Sequence, residues 1–298
     1  MDGILNIYKE KGYTSHDVVA KMRGILKMKK IGHTGTLDPE AQGVLPVCLG
    51  KGTRLCGMMT DETKAYRAVL LLGQETDTQD VTGAVLSQHP VEVGEEEARQ
   101  AAMGFVGAYW QVPPMYSARK VGGKKLYQLA RAGKEVEREP RLVEILELKV
   151  EQACLPRITI SVVCTKGTYI RTLCHDIGKK LGCGGCMESL VRTRVGRFLI
   201  EDSLTLGQVE SLQSQGGLER HVVPVDGFFS DLPRLTVKAG EGDKLVHNGN
   251  PFEPKLAAAG GEGLQVRVYD SQGVFIGTYG LDQEKGRYWP QKLFLGGS

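Results

Sequence analysis

The chain has 298 residues, 41% hydrophobic and 24% charged, the balance of an ordinary globular protein rather than a disordered or fibrous one. That length suits one large domain followed by a small one, and no apolar run is long enough to span a bilayer. The net charge of +3 hides a segregation: residues 1–60 carry nine Lys/Arg against five Asp/Glu, 119–141 eight against three, and 157–197 eight against two, together +15 and leaving −12 elsewhere. Such a split fits a basic face for a polyanion, and also fits solvated helix faces.

In chain order, Met1-Asp2-Gly3-Ile4-Leu5 lacks the basic stretch and apolar core of a signal peptide. Ile4–Tyr8 reads as a strand and Lys9-Glu10-Lys11-Gly12 as the turn after it. Thr14 with Asp17 three residues on is a capping box opening a helix through about Leu26. Then comes a Gly-rich loop, Gly32–Pro46, with Asp38 placed before Pro39 and so biased towards extended backbone. Tyr66–Leu72 suits a buried strand ending at Gly73, and Glu95–Gly104 an acid-started helix. Gly122–Arg141 reads as a basic helix with flexible flanks.

Ile158–Cys164 is strand-like. Ile170, Leu173, Ile177 and Leu181 then form the buried stripe of a helix, with Arg171 beside the stripe and free to reach a cleft. Beyond residue 230, Leu264–Tyr269 and Val274–Tyr279 around Asp270-Ser271-Gln272-Gly273 give a hairpin, and Asn248-Gly249-Asn250-Pro251 a turn. A small β-rich C-terminal domain follows from this pattern.

Seven cysteines, an odd number, fit reduced thiols in a cytosolic protein. Cys183-Gly184-Gly185-Cys186 is half of a zinc site with no second half in the sequence, and no P-loop or dinucleotide fingerprint occurs. Asp38, Tyr66 and Arg171 make a more suggestive set, since an arginine can hold a nucleophilic carboxylate ionised and a ring beside it can stack on a base. By default, though, Asp38 bonds its own loop, Tyr66 is core and Arg171 pairs at the surface.

Five stretches in order resemble the TruB family, the bacterial tRNA pseudouridine-55 synthases. They are Gly32–Pro46; Lys64-Ala65-Tyr66-Arg67-Ala68 through Leu72-Gly73 to Thr76-Asp77-Thr78; Pro114-Met115-Tyr116-Ser117-Ala118 with Gly123-Lys124-Lys125-Leu126-Tyr127; Lys166–Leu173; and Leu190–Gly196. The resemblance implies an α+β pseudouridine synthase fold, a mixed, mainly antiparallel sheet with flanking helices, over 1–230. Within it 119–141 would be a basic RNA-contacting segment, and 231–298 a small PUA-like RNA-binding β-barrel. It implies Asp38 as nucleophile, paired with Arg171. Tyr66 and Leu190 would lie on opposite sides of the uracil, with Tyr169 in the nucleotide pocket. His33 would push into the tRNA T-loop, and Lys9 would be a further substrate-binding residue, belonging with Gly12 to a first motif in which Glu10 stands where the family has proline.

The implied reaction isomerises uridine to pseudouridine at position 55 of the TΨC arm after flipping the base out. Asp38 attacks C6 of the base or C1′ of the sugar. No atom is gained or lost, so no cofactor or metal is implied. The implied partner is tRNA, with no membrane and no protein partner, for a cytoplasmic monomer. Two rivals remain: a synthase acting on another RNA, and a non-catalytic tRNA-binding or tRNA-folding protein. Pro114–Ala118 and the basic stretch favour the tRNA type over guide-dependent relatives, and the Asp38–Arg171 set favours catalysis.

Overall fold

The computed structural model of the protein describes residues 1–261 and 263–296. Its larger part is built on a ten-stranded sheet. The main strands are β1 (Gly3–Lys9), β2 (Ile31–His33), β3 (Gln42–Leu49), β4 (Lys64–Leu72), β5 (Gly107–Gln111), β6 (Arg141–Cys154), β7 (Arg157–Cys164) and β8 (Gly185–Val195). They run β1-β3-β8-β4-β7-β6-β5, with Val223–Pro224 beyond β1, β2 on β3, and Phe198–Leu199 on β8.

Every ladder in this sheet is antiparallel except the short one between β3 and β8, where Val191 faces Gln42 and Arg192 faces Gly43. Gly43 has φ +104°, and a Cβ there would sit 2.2 Å from Arg192 O. Only glycine permits the two strands to approach this closely.

That parallel seam divides the sheet into halves with separate cores. On the β1–β3 side, α1 (Ser15–Leu26) buries Val18, Val19, Met22 and Leu26 against Leu5, Ile7, Leu45 and Val47. Each buried aliphatic chain of this kind contributes ~2 kcal/mol. The capping box is present: Thr14 Oγ1 accepts from Asp17 N–H, and Asp17 Oδ2 from Thr14 N–H. On the other side α2 (Glu95–Met103) and α3 (Ile170–Lys180) cover β4, β6, β7 and β8, with Ile170, Leu173 and Ile177 facing inward as their spacing predicts.

The basic stretch differs from expectation. Lys120–Val121 and Lys124–Lys125 form a two-residue hairpin, and only Leu126–Arg131 is helical. Gly122 and Gly123 have φ of +56° and +82°, the turn a tight hairpin needs, and Gly133 at +67° ends the helix.

A second, five-stranded sheet runs in the order 257–260, 234–237, 265–269, 275–282, 287–293. All its strands feed one cluster that includes Leu235, Val266, Ile276, Tyr279 and Tyr288. It docks on the larger part through Phe275 and Phe294 against Phe229, and through Tyr269, whose hydroxyl donates to Asp226 Oδ2 at 2.8 Å. No helix among the described residues is long and apolar enough to cross a membrane.

Candidate active site

Asp38 lies in the loop between β2 and β3, and neighbouring elements grip that loop on both sides of it. Ahead of it, Leu37 N–H donates to Ser15 Oγ (2.9 Å), and the same hydroxyl donates to Leu37 O (3.3 Å). Ser15 is the first residue of α1, so the start of the helix also positions the loop. Behind it, Pro39 O accepts from Lys9 Nζ (3.0 Å) and from Gly12 N–H (2.9 Å). Ala41 N–H closes the turn on Asp38 O at 3.1 Å.

The Asp38 carboxylate makes no hydrogen bond to its own loop among the described residues. Its Oδ2 stands 3.1 Å from Arg171 Nε instead, with the arginine side chain 7% exposed and that of Asp38 41%. Arg171 projects from the first turn of α3 and serves three further acceptors. Nη1 donates to Thr78 O (3.1 Å) and Asp80 Oδ2 (3.3 Å), and Nη2 donates to Tyr116 O (2.7 Å). Asp80 is fixed in turn, its Oδ1 accepting from Thr78 Oγ1 (2.8 Å) and Thr82 N–H (3.0 Å). One guanidinium thus joins the Asp38 loop, the 78–82 turn and the root of the basic segment. Burial raises the Asp38 carboxyl above the ordinary carboxylate value; the Arg171 charge opposes this and Asp80 adds to it.

Tyr66 and Leu190 are brought to the same place. They sit on adjacent strands β4 and β8, and Tyr66 packs against a cluster holding Leu37, Ile170 and Leu190. Opposite Tyr66 across the ladder is Arg192, whose side chain lies wholly inside. Its Nε donates to Val44 O (2.7 Å) and its Nη2 to Gly35 O (3.2 Å), but it has no carboxylate partner among the described residues. Burial pushes the Tyr66 phenol up, and the Arg192 charge pulls it back.

The other expected residues are placed differently. Lys9, expected to touch substrate, is fully buried, and its Nζ serves the carbonyls of Glu10 (3.1 Å), Tyr13 (2.6 Å) and Pro39 (3.0 Å). With three acceptors for three ammonium protons, it braces the Asp38 loop from beneath and presents nothing to a ligand. Burial brings its pKa down to about 8, while Asp38 and Glu40 hold it up. His33 lies at the far end of the loop, edge-on to His16 with ring centroids 5.3 Å apart, its Nδ1 buried without a partner. Burial, then His16 and Arg192, lower its pKa, which favours the neutral ring. Tyr169 stands half-buried at the start of α3, its backbone held by Gln111.

The charge map also needs correcting. Lys9, Arg171 and Arg192 are interior cations, so the basic surface is smaller than the three segments suggest. Asp80, Arg192 and Gln111 are the site residues that sequence reasoning missed. Cys183 and Cys186 are buried free thiols.

The family model for "TruB family pseudouridylate synthase (N terminal domain)" matches residues 23–170, and that for "tRNA pseudouridylate synthase B C-terminal domain" matches 171–230. A protein named tRNA pseudouridine synthase B from Lachnoclostridium phytofermentans is 48% identical, over 99% of this chain and the whole of its own length. The chain belongs to the TruB family. A namesake from Staphylococcus aureus strain MSSA476 is 45% identical to this TruB-family chain over 84% of it and 85% of its own length.

Among solved structures, a chain of a Cbf5–Nop10–Gar1 complex superposes with a TM-score of 0.71 at 27% identity, covering 98% of this chain and 85% of that one. A chain of an H/ACA RNP bound to a substrate RNA containing 2'-deoxyuridine gives 0.70 at 25%, covering 99% and 85%. The likeness to these solved chains therefore runs over almost the whole TruB-family chain, the second sheet included. Both matched family ranges end before the second sheet begins at Arg234.

Proposed function

We propose that this TruB-family enzyme isomerises uridine to pseudouridine in tRNA, at position 55 of the T-loop, with Asp38 as its nucleophile. The observation that carries the reading is the Asp38–Arg171 pair at 3.1 Å, beside the cluster that Tyr66 and Leu190 share. A flat base held between a ring and a leucine side chain lies over a carboxylate that Arg171 orients and keeps ionised against its burial.

The target uridine is flipped out of its folded loop at a cost of a few kcal/mol. His33, neutral and at the loop's outer end, fills the space it leaves. Lys and Arg of the 119–141 hairpin and helix offset the cost by pairing with phosphates. A carboxylate oxygen of Asp38 adds to the uridine, at C6 or at C1′, and the N1–C1′ bond breaks. The uracil turns in its pocket, C5 bonds to C1′, the C5 proton passes to solvent while N1 takes one up, and Asp38 is released unchanged. The second sheet, over 231–298, serves as a further RNA-binding module of PUA type.

Incubation with unmodified tRNA carrying tritium at C5 of uridine tests this reading. The wild type is expected to release one tritium per tRNA and Asp38→Ala none. Release that survives Asp38→Ala sinks the nucleophile assignment, and no release by the wild type leaves a tRNA-binding protein.

A further inference from the structure

Gln111 ends β5, the edge strand of the large sheet, and is 1% exposed. Its amide is fully used. Oε1 accepts from Tyr169 N–H at 2.8 Å, and Nε2 donates to Tyr169 O at 3.0 Å and to the Tyr109 hydroxyl oxygen. The side chain therefore pairs with both backbone groups of one residue, as a neighbouring strand would.

The partner is well chosen for such a hold. Tyr169 precedes α3, its side chain makes no capping hydrogen bond, and its carbonyl already accepts from Leu173 N–H at 3.1 Å. Two bonds on one residue fix its φ and ψ, and with them the direction in which the Tyr169 ring leaves the backbone. Burying an amide costs desolvation that an apolar side chain of the same volume would avoid. Here that cost is matched by unique placement of one residue across 58 positions of sequence.

We propose that Gln111 is a positioning residue for pseudouridine formation, its amide holding Tyr169 so that the ring stands in the nucleotide pocket. This rests on the reading of Tyr169 as a pocket residue. Gln111 itself touches neither substrate nor Asp38. Its removal should slow the chemical step and leave tRNA affinity, which depends on surface cations, almost unchanged.

The test is a double-mutant cycle under single-turnover conditions, reading tritium release, with tRNA Kd and thermal midpoint measured on every variant. Gln111→Met removes both bonds. Gln111→Glu keeps the shape and loses the donor to Tyr169 O, and serves if the Met variant does not fold. Expected is a fall of about ten- to a hundredfold in rate, as for one or two buried hydrogen bonds, with Kd within threefold. In a Tyr169→Ala background the same change should cost less than twofold, because the ring it positions is gone. Additive losses in the cycle, or losses that follow thermal midpoint across variants, overturn the proposal. A Tyr169→Ala enzyme with wild-type turnover removes it together with the pocket reading. A wild type that releases no tritium is the separate failure of the catalytic assignment.

Discussion

Arg171→Lys keeps the positive charge and changes only its shape. The guanidinium meets Asp38 through Nε, Thr78 O and Asp80 through Nη1, and Tyr116 O through Nη2, at 2.7–3.3 Å. An ammonium has one nitrogen, and no single position reaches acceptors spread around a planar fork. At least one charge-assisted hydrogen bond disappears, worth about 1.5–3 kcal/mol. If that bond is the one orienting Asp38, the single-turnover rate falls about 10- to 150-fold at 1.36 kcal/mol per factor of ten. The arginine is buried and meets no phosphate, so tRNA Kd should move less than about twofold.

The pH profile gives an independent reading. As the proposed nucleophile Asp38 must be ionised, and its pKa is raised by burial, so activity should fall with decreasing pH at a value above the ordinary carboxylate range. Lys keeps the opposing charge and leaves this acid limb nearly in place, whereas Arg171→Met removes it and moves the limb to higher pH. Tritium release and filter binding measured from pH 5 to 8 supply both numbers. Equal losses in rate and affinity, or an unshifted limb in Arg171→Met, would refute the role given to this arginine.

Asp80→Asn removes an anion that raises the Asp38 pKa, so its acid limb should move to lower pH while the plateau rate drops as Arg171 loses an anchor; a limb moving upward contradicts the geometry. Lys9→Met removes the buried ammonium that serves the carbonyls of Glu10, Tyr13 and Pro39, of which, among the described residues, only Pro39 O keeps another donor, Gly12 N–H, and should lower stability by about 1–3 kcal/mol in urea unfolding, a loss that a substrate-contacting lysine would not show. The affinity for tRNA should fall steeply with salt, and removing both Lys124 and Lys125 should flatten the log–log slope by about 0.7–0.9 for each phosphate they neutralise. A slope unchanged in that variant takes the hairpin out of the RNA interface.

Local signals suffice where neighbours in sequence decide the outcome. The Thr14–Asp17 capping box, the inward stripe of α3 and the hairpin after Tyr269 need only nearby residues, and each is present. The 122–141 stretch reads as helix by composition, yet Gly122, Gly123 and Gly133 set its backbone and confine the helix to six residues. The Asp38–Arg171 pairing is legible through the family resemblance alone, since 133 positions separate the partners.

Asp80 and Gln111 matter only through partners 91 and 58 positions away, which no local pattern reveals. Arg192 does leave a local signal. It shares the inward face of β8 with Leu190, two residues away on a strand, so a buried Leu190 implies a buried cation. Counting it as surface charge hides it, and the same count misplaces Lys9.

The parallel seam between β3 and β8 has a consequence for how the enzyme comes into being. It joins positions roughly 150 residues apart, with the Asp38 loop leading into one side and Arg171 supplied from the other. Pairings of such long range form late and slowly, because the intervening chain must be closed before they are rewarded. A nascent chain that has emerged only through β7 carries its Asp38 loop and its Tyr66 strand but has neither Arg171 nor Leu190. Assembly of the Asp38–Arg171 pair is therefore gated by completion of the sheet, and the ribosome releases the Asp38 loop long before the arginine that pairs with it.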